Sequence, residues 1–488
     1  MAQSPLHIYF FPLLAPGHII PAVDMARKFA RHDTNVKSTI VLTHLDAPRF
    51  RATIERDRQQ GSNISIRQIT FPIAQAGLPD NFASLASITS PEIFEKFHDA
   101  MDMIRIPIEQ LLIEDRPDCF VSDFLIPWTL DLATKLRIPR IALHVVGFFP
   151  ICMHESLIKY KPHVGYDLDE PFVVPGIPDV VTLTKRQLPN VLQDGDIEEL
   201  PNEIFENSRK GNFSSYGVIL NSFEEMERDY IEHFKTNICS KAWHIGPVSL
   251  CNTNTVDKVG RGGGDEDEKS KNMTWKYCLD WLNTKEKNSV VYVCYGTLSV
   301  FSAAQMAEIA AGLELSGWDF IWVVKNQEEK LPEGFEERVH GKRGLLIKTW
   351  APQVLILEHE SVGGFLMHCG WNSLLEGVTA GKPMITWPLS YEQFFTEKLL
   401  TQVLKIGVGV GNVEWMNWID GPKGLIKGED IAKAVNEVMV GEESVEMRNR
   451  VKALSDEAKK AVEKGGSSCK NLDSLLEELR LTKALSNE

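Results

Sequence analysis

Residues Trp350 to Gln393 read WAPQVLILEHESVGGFLMHCGWNSLLEGVTAGKPMITWPLSYEQ, and this stretch decides the fold. Its apolar run from Gly363 to Cys369 reads as a buried strand. A helix then opens at Trp371-Asn372-Ser373. Gly370, between them, lets a backbone approach a ligand closely. Asn372 and Ser373 place polar side chains where a helix's free N–H groups point outward, which makes an anion site of the kind a diphosphate fills. Trp350 closes another strand and offers a flat face to a base. Glu376 lies one turn into the helix and could accept from ribose hydroxyls. Glu392 and Gln393 follow a Trp-Pro-containing strand end and can bind sugar hydroxyls.

Outward from this stretch, strands and helices alternate. Ser289 to Gly296, Phe320 to Val324 and Gly344 to Trp350 read as strands, and Ala303 to Ser316 as a helix. Gly407-Val-Gly409-Val-Gly411 follows a helix instead of opening one, so it reads as a short strand and not as a dinucleotide loop. The first half alternates likewise: strands at His7 to Leu14, Val36 to Thr43, Ile64 to Ile69, Asp118 to Asp123 and Arg140 to Val145, with a helix at Ile19 to Ala30. Such alternation predicts parallel sheets covered by helices on both faces. Between the halves lies CNTNTVDKVGRGGGDEDEKSKN, almost without apolar residues, which predicts an exposed, flexible linker over 251–273. The expectation is two facing Rossmann-like, doubly wound α/β domains, 1–250 and 274–465. Ligands in such sheets bind beyond the carboxyl ends of the strands, so the cleft between the domains is the expected site.

The chain has 488 residues and a net charge of -15. That charge argues against nucleic acid and against an anionic membrane surface as partners. An anionic ligand must then be held by local dipoles. The eight cysteines contain no CxxC pair, which fits reduced thiols and a cytoplasmic setting. No Lys or Arg precedes the apolar N-terminal run, which breaks at Pro16-Gly17, so it reads as a first core strand and not a signal segment. No apolar stretch reaches the roughly 18 residues that span a bilayer. A soluble monomer is expected.

His18 and Asp123 both fall at the carboxyl edge of the first sheet. Together a histidine and an aspartate make a general-base unit, the carboxylate setting the imidazole tautomer and stabilising the imidazolium. A capping aspartate and a surface histidine fit the same spacing.

The Trp350–Gln393 stretch resembles the signature box of plant secondary-product UDP-glycosyltransferases. It matches at Trp350, Pro352-Gln353, His359, Gly364, His368 to Ser373, Glu376, Gly381, Pro383, Pro388 and Glu392-Gln393. The resemblance extends to PLLAPGHIIP, to Tyr295-Gly296-Thr297-Leu298-Ser299 and to nearly all of the chain between. It implies the GT-B fold, with an acceptor-binding first domain, a UDP-sugar-binding second domain, and a C-terminal helix (466–488) crossing back onto the first. It implies His18 as catalytic base and Asp123 as its partner. Trp350 would stack on uracil, assisted by Ala351 and Gln353. His368, Gly370, Asn372 and Ser373 would hold the diphosphate with Thr297 and Ser299, Glu376 the ribose, and Trp371, Tyr391, Glu392 and Gln393 the sugar. It further implies UDP-glucose as co-substrate, inversion at the anomeric carbon, and neither a metal nor a permanently bound cofactor.

One departure is visible. Val145-Val146-Gly147 stands where many relatives carry Gly-Thr, which puts one sugar contact in doubt. Asp167-Leu-Asp169 and Asp265-Glu-Asp267 match the acidic pattern of metal-dependent transferases, but both sit in polar loops and read as solvated. The rival classes are a nucleotide-sugar binding protein without turnover, against which His18 and Asp123 speak, and a nicotinamide oxidoreductase, which lacks GxGxxG after any strand. For the acceptor, an apolar pocket near His18 is expected from Phe71 to Phe82, Phe124 to Trp128 and Val145 to Phe149, with Phe124, Val146 and Phe148 touching the ligand and few fixed charges. EPFVVPGIPD and MITWPLSYEQFFTEKLLTQVLKIGVGVG resemble the branch acting on triterpenoids, steroids and flavonoids, which ranks a triterpenoid or steroid first and a flavonoid or other phenol second.

Overall fold

The structure, a computed structural model, describes residues 4–189, 192–193, 200–262, 268–325, 327–416 and 424–486. Strands β1 (Leu6–Phe11), β2 (Val36–Thr43), β3 (Ile64–Ile69), β4 (Cys119–Asp123) and β5 (Arg140–His144) open the chain. After a small antiparallel hairpin, β6 (Pro171–Val174) and β7 (Val181–Thr184), come β8 (Gly217–Leu220) and β9 (Ala242–His244). A second set follows: β10 (Val290–Cys294), β11 (Asp319–Val323), β12 (Gly344–Ile347), β13 (Val362–Met367), β14 (Met384–Thr386) and β15 (Gly407–Gly409). They form two sheets, ordered β3-β2-β1-β4-β5-β8-β9 and β12-β11-β10-β13-β14-β15, every neighbouring pair parallel. Continuous apolar runs such as LHIYFF and VVYVC form these strands because helices bury both faces of each sheet.

In each sheet the order reverses between two particular strands, β1 and β4 in the first and β10 and β13 in the second. Ligands collect beyond the carboxyl ends at such reversals. The register sets what meets there. Phe11 pairs with Ser122 and Cys294 with Met367, so the segment after β1 lies against Asp123, and the loop after β10 lies against His368.

The closing helix Ser467–Ser486 places Leu472, Leu475, Leu476 and Leu479 in the first domain's core, beside Ile8 and Phe10. Lys483 fastens it to Asp118 at 2.9 Å.

The reading of residues 251–273 as an exposed linker is corrected over its described part. Residues 263–267, which hold Asp265 to Asp267, lie outside the described residues. Before them, helix Thr255–Gly260 is capped by Asn254, whose side chain accepts from the Asp257 amide at 2.8 Å. Asp257 is 2% exposed. It meets Arg27, itself buried, at 2.8 Å and Arg56 at 2.8 Å. The Asn and Asp residues look solvated in sequence, but guanidinium groups on the first domain's helices bind them. Removing one partner of a buried ion pair leaves the other charge uncompensated. We expect Asp257→Ala to cost about 2 kcal/mol, since Arg27 keeps Asp57. Thermal melting and limited proteolysis of 251–262 should report a lower Tm and faster cleavage.

Candidate active site

The helix Pro16–His32 begins just past β1 and carries His18. His18 Nδ1 lies 2.8 Å from Asp123 Oδ2. The carboxylate can only accept, so Nδ1 donates and Nε2 keeps its lone pair. Asp123 is fully buried at the end of β4 and also accepts from the Leu13 and Leu125 amides, at 3.2 and 3.0 Å. Burial alone would raise its pKa. The facing His18 and those amides outweigh burial and hold it below the ordinary carboxylate range. For His18, burial pulls the pKa down, but Asp123, with a smaller contribution from Glu392, leaves it above the usual imidazole value. The Phe124 ring stacks between His18, 6.2 Å away, and His144, 4.7 Å away.

Across the cleft, β13 ends and helix Trp371–Thr379 starts at Gly370, without a side-chain cap. Its first intrahelical bond runs from Leu374 N to Gly370 O, so the amides of Trp371, Asn372 and Ser373 stand at an open N-terminus lining the cleft. A Cβ on Gly370 would come within 2.4 Å of His368 Nε2, and one on Gly296 within 2.7 Å of the same ring. The two glycines let the imidazole lie flat between backbones. Burial lowers the His368 pKa to about 4, so it serves as a neutral imidazole and adds no positive charge. Cys369 (φ 64°) and Tyr391 (φ 53°) hold left-handed backbone, each beside a donor-site segment.

The remaining expected side chains are placed as follows. Gln353 donates to Glu376 at 2.7 Å and to Ser373 at 3.2 Å, and its carbonyl accepts from Tyr292 at 3.1 Å. Gln393 accepts from the Leu389 and Ser390 amides at 2.9 and 3.0 Å, which leaves its NH₂ group as the end available to a ligand. Burial raises the pKa of Glu392. Trp350, Ala351, Tyr391 and exposed Thr297 also line the cleft. The Ser299 hydroxyl is spent on the Tyr295 carbonyl within its own loop.

Other placements add to the expectations or revise them. Trp371, expected at the sugar, is among the residues lining the cleft, and its indole, 2% exposed, donates across the domain boundary to the Asn221 carbonyl at 2.7 Å. Asn372 also spans the boundary, donating to Gly17 O at 2.8 Å, next to the base. Phe148 does not line the cleft: it is fully buried, edge-on to Phe234, because its position on helix Phe148–Tyr160 faces the core. No residue from Phe71 to Phe82 lines the cleft: Phe71, Leu78 and Phe82 are buried in the core, the two rings stacked on each other and tilted against Phe97, while most of the residues between them are exposed. The cleft near His18 is walled by the expected Phe124 to Trp128, Val145 and Val146, and also by helix Pro91–Met103 and residues 150–158. Nor is it free of charge: Arg209 pairs there with Glu155 and Glu206, at 2.9 and 2.7 Å.

Asp169 pairs with Arg186 on an exposed loop. Among the described residues the one grouping with metal-ligand potential, His32, Cys469 and Asp473, lies on the outer side of the first domain. No described helix is long and apolar enough to cross a membrane. Sequence reasoning missed Arg261, Asn221 and His144. Arg261 sat in a Gly- and Asp-rich run that carried no local signal, and the other two lie at strand ends whose neighbours only the topology reveals.

Two doubly wound domains, a His-Asp pair at one strand-order reversal and an open helix N-terminus at the other, define a glycosyltransferase of the two-domain GT-B type. Residues 108–443 match the family "UDP-glucoronosyl and UDP-glucosyl transferase", and the chain belongs to it. It is 46% identical to scopoletin glucosyltransferase of Nicotiana tabacum over 97% of this chain and 98% of that one. It is 45% identical to UDP-glucose flavonoid 3-O-glucosyltransferase 7 of Fragaria ananassa, over 97% and 96%. The crystal structure of Glycyrrhiza uralensis UGT73P12 with glycyrrhetinic acid 3-O-monoglucuronide superposes with a TM-score of 0.91 at 38% identity, covering 99% of this chain and 98% of that one. The protein is therefore an enzyme, a UDP-glycosyltransferase with a UDP-sugar as co-substrate.

A histidine acting as base must be neutral, so with His18 in that expected role its raised pKa places the acidic limb of the rate profile above the ordinary imidazole value. Asp123→Asn removes the carboxylate that raises it. The limb in kcat/KM should move to lower pH while the plateau falls roughly 10²–10⁴-fold, because the tautomer is no longer set. A pH–rate profile of both proteins checks this.

Proposed function

We propose that this enzyme transfers glucose from UDP-glucose, with inversion and without a metal, to a hydroxyl of an apolar plant metabolite. The single observation that carries the reading is the placement of the His18–Asp123 pair and the helix N-terminus at Gly370 to Ser373 across one cleft of about 1800 Å³. His18 Nε2 takes the acceptor's hydroxyl proton as the oxygen attacks the anomeric carbon. The bond to UDP breaks on the opposite face, and configuration inverts. Asp123 stabilises the imidazolium so formed. The growing charge on the diphosphate falls on the amides and side chains of Asn372 and Ser373, with His368 and Thr297 alongside, a role that preorganised dipoles perform well in a cleft shielded from water. Trp350, Ala351 and Gln353 hold uracil, Glu376 the ribose, and Glu392 and Gln393 the sugar hydroxyls.

Phe124 and Val146 face the acceptor. Ligand pockets usually hold about 300–1,000 Å³, so this cleft has room for a nucleotide sugar and a polycyclic aglycone together. A triterpenoid or steroid ranks first, supported by the glycyrrhetinic acid conjugate in the superposed structure. A flavonoid or other phenol ranks second, supported by the relatives of similar identity. The enzyme acts in the cytoplasm as a monomer. The alternative within the class is UDP-galactose or another UDP-sugar as donor.

Two measurements test this. His18→Ala should lose roughly 10²–10⁴-fold in turnover while binding UDP nearly as well, and it should retain more activity on phenols than on alcohols, since a phenol gives up its proton with less help. Wild-type-like turnover in that variant ends the proposal. In a donor panel assayed in excess EDTA, UDP-glucose should give the highest kcat/KM, and Gln393→His should raise the relative use of UDP-galactose. Loss of activity restored only by manganese, or a preference for UDP-glucuronate, contradicts the reading.

A further inference from the structure

Arg261 comes from the segment between the domains, yet it lies inside the cleft, with its side chain 10% exposed. Its Nε meets Asp24 Oδ2 at 2.7 Å, and its Nη1 meets Glu376 Oε1. Both carboxylates are buried, at 3% and 6% exposure. Asp24 sits on the helix that begins beside His18, and Glu376 on the helix whose N-terminus faces the diphosphate position. One guanidinium thus joins the base-bearing helix to the donor-bearing helix. Neighbouring geometry holds it there. The Arg261 carbonyl accepts from Trp350 Nε1 at 3.2 Å. Gly262 has φ +70°, and a Cβ on it would strike Ile20 at 2.4 Å and the Trp350 ring at 2.7 Å. Only a glycine lets the segment pack this closely on the Trp350 ring.

Glu376 therefore has one oxygen bound to Arg261 and the other to Gln353, at 2.7 Å. A carboxylate offers about four acceptor sites, so two are spent on fixing its plane and two remain for a pair of adjacent hydroxyls. We propose that Arg261 is a positioning residue of the donor site: it locks Glu376 in the orientation that accepts the ribose hydroxyls, and through Asp24 it ties that orientation to the helix bearing the base. The inference rests on the reading of Glu376 as the ribose acceptor. Arg is required because its planar fork reaches two carboxylates on two domains. A lysine ammonium keeps the charge but is a single point that cannot hold both.

The test compares UDP with 2′-deoxy-UDP by calorimetry, and KM with kcat for UDP-glucose. Arg261→Lys should weaken UDP about tenfold, the scale of a lost hydrogen bond to a charged group, and should weaken 2′-deoxy-UDP, which keeps only the 3′-hydroxyl, by a clearly smaller factor. The KM for UDP-glucose should rise by a similar factor, with kcat moving much less. Equal weakening of both nucleotides would show that Arg261 acts on the phosphates or on the fold alone, and unchanged binding of both would also overturn the inference. If Arg261→Lys does not fold, Asp24→Asn frees one end of the same guanidinium and should give a smaller loss, again greater for UDP than for 2′-deoxy-UDP. An equal loss for both nucleotides there overturns the inference too. Glu376→Gln separates the two claims. If it leaves the preference for UDP over 2′-deoxy-UDP intact, the ribose reading itself fails. If it erases the preference while Arg261→Lys does not, only the positioning role fails.

Discussion

The indole of Trp371 crosses from the second domain to the first and donates to the Asn221 carbonyl at 2.7 Å, and the geometry of the cleft depends on that contact. The ring fits because Gly147 has no side chain: a Cβ there would lie 2.1 Å from the indole. Asn221 also donates from its side chain to Asn372 at 3.3 Å, and Asn372 reaches Gly17, the residue before the base. A general base works only when it lies within hydrogen-bond reach of its proton and in line with the leaving group. Here the two halves of the chemistry ride on separate sheets. The hydrogen bonds along Trp371, Asn221, Asn372 and Gly17 join the two domains across the cleft. Val145-Val146-Gly147 looked in the sequence like a loss, a missing sugar-contacting threonine. In the structure Gly147 is what admits the indole.

The electrostatics obey a similar economy. An acidic chain has no general field to draw in a nucleotide, so attraction has to be local. His368 is neutral through burial and contributes hydrogen-bonding capacity without charge. Positive character comes from the open N-terminus of helix Trp371–Thr379 and from Lys325, whose ammonium lies 5.5 Å from the centre of the Trp350 ring. The carboxylates are each given a defined partner: Asp123 answers His18, and Glu376 answers Arg261 and Gln353. Glu392 lies near enough to His18 to raise its pKa, so the two ends of the cleft are electrically coupled.

Much of this was legible in the residues. Parallel strands buried on both faces show as uninterrupted apolar runs, and the limits of β2 and β3 and of helix Ala303–Ser316 coincide with their readings. Short strands such as β8 and β9 were missed, since four or three apolar residues between helices give no period to detect. At the site, residues at strand ends could be recognised because chemistry-bearing types cluster there. Direction could not: Phe124 and Phe148 are both aromatic residues just past first-sheet strands, yet one lines the cleft and the other turns into the core. A one-residue change in where a helix starts decides which face a side chain takes, and that start is set by packing against Phe234 and Tyr230, distant in sequence.

The segment 251–262 shows why composition misled. Gly, Asp, Asn and Lys in a run describe a chain that cannot build its own core, and a solvated linker is the usual consequence. The inference fails when a neighbouring surface supplies opposite charge at close range. Arg27 is 1% exposed and would be costly to bury alone; Asp57 and Asp257 compensate it. The same run delivers Arg261 to two further buried carboxylates. Polar residues here do the work apolar ones do elsewhere, because the surfaces they join are the walls of a site that must bind a charged nucleotide. An apolar seam would join the domains as firmly but leave Glu376 without the partner that orients it. The position of this segment, between two domains and against the donor site, therefore follows from the same requirement that places the base and the open helix end face to face.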